Sequence, residues 1–406
     1  MRYWSRLSLG LLSLLLVVAA CAAPTPPPTT AREDATIHLS PNGNGDYGSL
    51  AEAVAAAPAG ATIALEAGTY RLAGPLTIDK ALSLQGAGRD QTEIVTAVGG
   101  FVVRFTGEGP FAVQGIAFRH EGDAGADVVL VEGGQVFVSG CHFGGSKGNG
   151  LHLTGQTSGT VQDSVAELGR WAVGFAISGE AQPTLQNNSS AGNAYGIRVS
   201  DQAQPVLRNN ICKDNNLDGI RYDDDAGGLA HQNEALGNRT GIAVTGQARP
   251  TLEENRLSDN KGAGIDFMEQ AGGVARRNQI HDNFGGIGVG GQAQPRLEEN
   301  TISHNVTAGI AYFGTASGLA RKNESTGNGI DGIGVFASAS PTLEENILQG
   351  NGESGISYND SSAGVARNNE CSGNKVGIHV NAEANPQLED NRAQGNSQAD
   401  IQDQRP

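Results

Sequence analysis

The chain has 406 residues, with 43 acidic and 27 basic side chains, a formal net charge of −16, and 59 glycines against 5% aromatics. That balance argues against nucleic acid and anionic lipid surfaces as partners. Abundant glycine with few aromatics suits many tight turns around a slender core rather than one broad interior.

Arg2 and Arg6 precede an apolar run from Leu7 to Ala20, which closes on Val18-Ala19-Ala20-Cys21. The run is too short to span a bilayer and has the layout of an export signal. Small residues before a cysteine resemble the bacterial lipobox. The resemblance implies removal of residues 1–20 and acylation of Cys21. The protein is then expected to be extracytoplasmic, lipid-anchored to the cell membrane or the outer membrane. Residues 21–34 carry Pro and Thr runs from Pro24 to Thr30 and predict an extended tether.

The stretch from Ile37 to Val95 holds a Gly45-Asp46-Tyr47 turn, a helix expected near Ser49 to Ala57 and a bend at Pro58 to Ala61. Gly68-Thr69-Tyr70 and Gly86-Ala87-Gly88 follow. In these features it resembles the opening of pectinesterase-type and pectate-lyase-superfamily β-helices. The resemblance implies that the helix caps the first winding of a coil, which would otherwise expose core and unpaired strand edges. Between Thr96 and Gly179, strand-like alternation continues at Phe111 to Phe118, Val128 to Val131, Val136 to Phe143 and Gly150 to Leu153. The same coil with longer turns is expected there.

Beyond this point a period of 22 or 23 residues is held ten times. It is marked by Asn188, Asn210, Asn233, Asn255, Asn278, Asn300, Asn323, Asn346, Asn369 and Asn391, each followed five residues later by a second asparagine, from Asn193 to Asn396. A Gly-Ile pair comes next in each period, from Gly196 to Gly377, with Val or an aromatic two residues after the Ile. Runs this short with apolar residues at i and i+2 are strands, about three per period. Stacking each strand on its copy one winding later puts like residues in columns, and an asparagine column satisfies itself through its amides.

Leu207, Ala230, Leu252, Ala275, Leu297, Ala320, Leu343, Ala366 and Leu388 alternate large with small, and the residues after them alternate acidic with basic: Glu253, Arg276, Glu298, Arg321, Glu344, Arg367. Pro205, Pro250, Pro295, Pro341 and Pro386 recur at twice the period, so the unit is a double winding. Cross-strand charge pairing is the expected role of the alternation. Cys141, Cys212 and Cys371 read as small buried side chains with no disulfide framework and no metal-ligand spacing.

The columns from Thr184 onward resemble the parallel β-helix repeat, also grouped as the carbohydrate-binding and sugar-hydrolase domain. The expected fold is all-β: a single-stranded right-handed parallel β-helix over residues 35–401 with a short N-terminal capping helix, a tail at 402–406, and about fourteen to sixteen windings. A monomer is expected.

Chemistry is less legible. Asp259, Asp282 and His304 precede the second asparagine on three successive windings, where two carboxylates and an imidazole suit acid and base work, although Asp and Gly exchange in that column as turn residues do. Asp223, Asp224 and Asp225, with Asp218 nearby, form an acidic loop with oxygen ligands for Ca²⁺ or a solvated charged loop. Phe313 and Phe336, in the column of Met268, suit stacking on sugar rings or packing under a loop. The chain lacks the Asn-Thr-Asp and Arg-Ile-Lys signatures of the superfamily's hydrolases and lyases. The expected role is therefore non-catalytic binding or display of a carbohydrate or cell-wall polymer without a cofactor. The alternatives are a polysaccharide lyase or hydrolase, and metal delivery as in the copper-related β-helix proteins of nitrous oxide reductase maturation, for which Met and His clusters are missing.

Overall fold

The computed structural model describes residues 35–122 and 125–406. The export signal, Cys21 and the tether lie outside the described residues. Among those described, no helix is long and apolar enough to cross a membrane.

Three parallel sheets form the sides of one coil. Sheet 1 has 16 strands and sheets 2 and 3 have 15 each, every strand pairing with its copy from the winding before and the winding after. Sheet 1 runs from Thr36–Leu39 to Asn385–Glu389, sheet 2 from Gly68–Arg71 to Arg392–Gln394, and sheet 3 from Leu76–Ile78 to Ala399–Asp403. The last strand thus continues through Asp403, two residues into the stretch read as a tail. The expected helix spans Leu50–Ala56. Ser49 caps it by accepting from the Glu52 N–H, and Leu50, Ala53 and Val54 are buried with Ile37 and Leu39 at the start of the core.

The asparagine columns close every polar valence they bury. Asn255 donates from Nδ2 to Asn278 Oδ1 at 2.9 Å and to the Ala230 carbonyl at 2.9 Å, and its backbone N–H reaches the same Asn278 oxygen at 3.0 Å. Its own Oδ1 accepts from the backbone and side chain of Asn233 at 2.9 and 3.0 Å. All four hydrogen-bonding positions of the amide are used at zero solvent exposure. The column begins before the asparagines do: Cys141 N–H donates to Ser164 Oγ, and Ser164 N–H donates to Asn188 Oδ1. At the other column's far end Asp400 takes the asparagine's place and accepts from Asn396.

Among the described residues, twenty non-glycine residues have positive φ, and all fall in three columns at the corners of the coil. One column stands before the first asparagine, as at Glu254, Arg277 and Glu299, and one before the second, as at Asp214 and Asp259. The third follows sheet 3, as at Asp201, Asp224 and Glu269. Each corner turns on a single left-handed residue, which explains why Asp, Asn and Gly dominate there.

The double winding is a packing device. Registers pair Leu207 with Ala230, Ala230 with Leu252 and Leu252 with Ala275. Windings with the small alanine carry a bulky neighbour from sheet 3, such as Tyr222, Phe267 or Tyr312, and windings with leucine carry Val244, Val289 or Val335. Interior volume is thereby conserved. On the corner leading into sheet 1, Gly228, Gly273, Gly318 and Gly364 sit beside Pro205, Pro250, Pro295 and Pro341. Their φ values run from +94° to +112°, and a Cβ on any of them would lie 2.2–2.3 Å from the proline carbonyl. Outside, Glu253, Arg276, Glu298, Arg321, Glu344 and Arg367 stand in register, with pairs such as Arg276 to Glu253 at 3.0 Å and Arg367 to Glu344 at 3.4 Å. These half-exposed pairs each contribute under about 1 kcal/mol, so register is their main effect. Cys141, Cys212 and Cys371 are free and buried, and burial pushes the Cys212 and Cys371 thiols up to about 12.

Asn278→Ala strands both Asn255 donors and removes the partner of the Leu252 carbonyl. The expected loss is about 3 kcal/mol of local stability, read as faster amide hydrogen exchange in the windings on either side. An unchanged exchange pattern would contradict the ladder's role.

Candidate functional site

Sheet 3 presents its outward residues on both sides of the buried Gly-Ile pair. One outward row runs Arg198, Arg221, Ala243, Asp266, Gly288; another contains Asp218 and Thr240 in register. A third follows the strand, with Asp223, Thr245, Met268, Gly290, Phe313 and Phe336. Where these rows meet, the face is recessed into a cleft of about 220 Å³ lined by Tyr195, Asp218, Arg221, Arg239, Thr240, Thr245, Asp266 and Met268 among others.

The upper wall is a closed charge network. Arg221 donates to Asp218 at 3.0 Å, to Asp223 at 2.7 Å and to Thr245 Oγ1 at 3.3 Å, while Arg198 Nε donates to the other Asp223 oxygen at 2.8 Å. The Arg198 and Arg221 guanidinium groups also lie 5.8 and 5.6 Å from the Tyr195 ring centre, within cation–π range. Burial pushes Asp223 up, but hydrogen bonds from Arg198 and Thr245 and the charge of Arg221 outweigh it, and the carboxyl ends below its usual range. For Asp218, burial wins over Arg221 and the carboxyl is raised.

Asp266 completes the lower wall and has no hydrogen-bond or ion-pair partner among the described residues. Burial, then the neighbouring Asp218 charge, push its carboxyl up to about 6, against the opposing pull of Arg239. A carboxyl held up in a cleft without a hydrogen-bonding partner is of the kind that proton transfer and ligand binding use.

The residues singled out from sequence lie elsewhere or behave differently. Asp259, Asp282 and His304 do stand on successive windings, yet all three are exposed at a convex corner with φ of +58°, +58° and +54°. Their residue types answer to the left-handed backbone, and the one polar contact nearby is His281 Nδ1 to Asp282 Oδ2 at 2.8 Å. The aspartate triplet splits. Asp223 turns into the sheet 3 network, whereas Asp224 and Asp225 are exposed, with an Asp224 oxygen accepting the Asp201 N–H. Among the described residues, no group of three or more His, Cys, Asp or Glu side chains is arranged to hold a metal ion. Phe313 and Phe336 are half-buried on the sheet 3 face, lying over glycines: a Cβ at Gly290 would meet the Phe313 ring at 2.1 Å, and one at Gly334 would meet Phe336 at 2.5 Å.

A coil of three parallel sheets with stacked amide columns is a parallel β-helix. The chain matches the family model described as a right handed beta helix region over residues 103–256 and 240–397, and it belongs to that family. No curated protein matches it by sequence. Among solved structures it is similar to the Azotobacter vinelandii mannuronan C-5 epimerase AlgE6 A-module, at 18% identity and TM-score 0.50, covering 87% of this chain and 93% of that one. It is also similar to the catalytic domain of a GH87 alpha-1,3-glucanase in complex with nigerose, at 13% identity and TM-score 0.51, covering 92% of this chain and 70% of that one. At these identities the likeness is one of fold.

Asp266→Asn tests the cleft electrostatics. A carboxyl raised in the folded state adds stability at low pH that is lost as pH rises through about 6. The neutral variant therefore melts higher than the parent above pH 6, by on the order of 2–4 °C, and the difference disappears by about pH 4. A pH-independent difference would show that Asp266 is solvated like a surface group.

Proposed function

We propose that this chain is a carbohydrate-binding β-helix whose sheet 3 holds an extended saccharide polymer along its outer face. The observation that carries the reading is the recessed cleft, in which the unpartnered Asp266 faces Tyr195, Arg221, Arg239 and Thr240. Sugar hydroxyls pair with such a mixture of carboxylate, guanidinium and hydroxyl groups, while Tyr195, Met268 and Phe313 offer apolar surface to sugar rings. Successive windings repeat about every 4.8 Å, so neighbouring windings present groups to neighbouring parts of a linear polymer. Two proteins of the same fold are named for polysaccharide chemistry, the epimerase and the glucanase, in line with this reading.

Binding is tested by affinity electrophoresis of the mature chain in gels containing alginate or a neutral α-glucan. Retardation is expected for the parent and for Asp259→Ala, with Tyr195→Ala and Asp266→Ala weakening it at least about tenfold, or 1.4 kcal/mol. Equal retardation of all four proteins would move the binding face elsewhere.

One observation favours catalysis as a second reading: the Asp266 carboxyl, raised to about 6, is poised to give and take protons near neutral pH. Release of reducing ends or unsaturated uronates by the parent, abolished in Asp266→Asn, would establish a hydrolase or lyase in place of a display protein.

The lipobox-like sequence supports a binding face outside the cytoplasm, tethered through residues 21–34 to a lipid on Cys21. Cys21→Ser is expected to move the protein from the membrane fraction to the soluble fraction. Retention in the membrane would argue for another anchor.

A further inference from the structure

Three windings before Arg221, the same outer face carries a second constellation. Asp127 opens the strand Asp127–Val131, His152 lies on the next strand of sheet 3, Asn149–Leu153, and Ser178 follows the one after, Val173–Ile177. Asp127 Oδ2 is 2.8 Å from His152 Nδ1, and His152 Nε2 is 2.9 Å from Ser178 Oγ. The other Asp127 oxygen accepts from Asn149 Nδ2 at 2.6 Å and Asn149 N–H at 3.2 Å, so the carboxylate is held on both sides.

With a carboxylate on Nδ1, the imidazole donates there and keeps the Nε2 lone pair toward the serine hydroxyl. That is the relation of nucleophile, base and orienting carboxylate, recognised by geometry on any fold. Periodicity alone does not produce it. Ser200 occupies the serine's place one winding on, and there the imidazole's place is taken by Ala176.

Two neighbours bear on the substrate. Ser178 Oγ donates to Thr154 Oγ1 at 2.8 Å, a hydroxyl proton that must rotate to His152 Nε2 when the serine reacts, whereas the Ser178 and Gly179 N–H groups are already bonded to the Leu153 carbonyl and Asp201. Neither Thr154, which accepts from the serine, nor these two N–H groups is a preformed donor for a developing oxyanion, and each such donor is worth about 10²–10³ in rate. The site therefore suits an ester carbonyl rather than a peptide. Trp171, 68% exposed with the Arg170 guanidinium 4.7 Å from its ring centre, stands in the corner leading into the strand that ends before Ser178. An exposed indole there, at the opposite end of that strand from Ser178, offers a surface to a neighbouring sugar ring of a polymer.

We propose that Ser178, His152 and Asp127 form an acyl-transfer site that removes O-acyl groups, such as acetyl, from a polysaccharide lying along sheet 3. The saccharide part rests on the reading given above. Ser178 Oγ bonds to the acyl carbon as its proton passes to His152 Nε2. The bond from that carbon to the sugar oxygen breaks, and the oxygen takes the proton from Nε2. Water then gives a proton to His152 and its oxygen to the acyl carbon. The acyl-serine bond breaks, the proton returns to Ser178 Oγ, and a carboxylic acid leaves. Ser178 and His152 touch the reacting atoms, while Asp127 is a positioning residue.

The test treats the mature chain with a fluorophosphonate probe, locates the adduct by mass spectrometry, and follows hydrolysis of p-nitrophenyl acetate and acetate release from an O-acetylated glucan or alginate. A phosphonate adduct on Ser178 is expected, absent in Ser178→Ala and His152→Ala, with ester hydrolysis falling on the order of 10³-fold in both. Ser200→Ala retains full activity, and Asp127→Asn lowers kcat with KM unchanged. The parent protein left unlabelled at Ser178 overturns the proposal without recourse to any variant. Hydrolysis of the small ester without acetate release from a polymer that still binds overturns the polysaccharide assignment. Labelling of Ser178 by a chain that binds no polymer overturns the saccharide face instead and leaves the acyl-transfer site standing.

Discussion

The hydrogen bond from one asparagine amide to the next holds the rest of this molecule in place. Each amide spans the gap between windings with the same donor and acceptor geometry as the backbone, so side chains buried beside a sheet extend its ladder into the interior. A buried amide that missed its partner would lose the desolvation free energy of two or more polar groups, each about 1–3 kcal/mol. A slip of one residue would do so along the entire column at once. Register is thus enforced cooperatively. Outward groups on sheet 3 inherit that precision, because each of its strands there follows a corner clamped by the second column.

This explains how a slender, glycine-rich coil supports polar clusters on one face. Arg198 and Asp223 are brought together from consecutive windings, and their bond depends on a strand spacing that no local turn sets, whereas Arg221 bonds to Asp218 and Asp223 along its own winding. Desolvation raises Asp218 and Asp266, while convergent guanidinium groups lower Asp223. Neighbouring carboxyls on one scaffold thereby acquire different protonation behaviour, a recurrent property of sites that bind or transform ligands.

The fold was legible in the sequence because its constraints repeat. The period, the amide columns, the alternation of Leu with Ala and of Glu with Arg, and the capping helix from Ser49 all appear in the structure where spacing placed them. The site was not legible, for a physical reason. Asp259, Asp282 and His304 drew attention as aligned titratable groups, but a left-handed corner selects Asp and Gly for backbone conformation, mimicking a functional column. The informative positions flank the Gly-Ile pair, immediately before it and immediately after it. There Tyr195 and Arg198, Asp218 and Arg221, and Asp266 depart from a mostly small and neutral pattern. Aligning windings on that pair and reading its irregular flanks would have found Asp266. Asp127, His152 and Ser178 fall before the regular period begins, where no column could be drawn.

The alternation of winding types sets a rule for how such a coil changes length. Adding or deleting one winding within the region from Pro205 to Pro386 would lay proline on proline, leucine on leucine and glutamate on glutamate, whereas two windings restore every neighbour. Growth there is quantised in pairs, much as a two-colour tiling can be cut and rejoined only at matching edges. Pro183 and Pro205, on adjacent windings with Gln186 beside Arg208, mark the seam where that tiling starts. Duplications in this lineage should therefore begin and end in the same phase, leaving the face of sheet 3 extended but undisturbed.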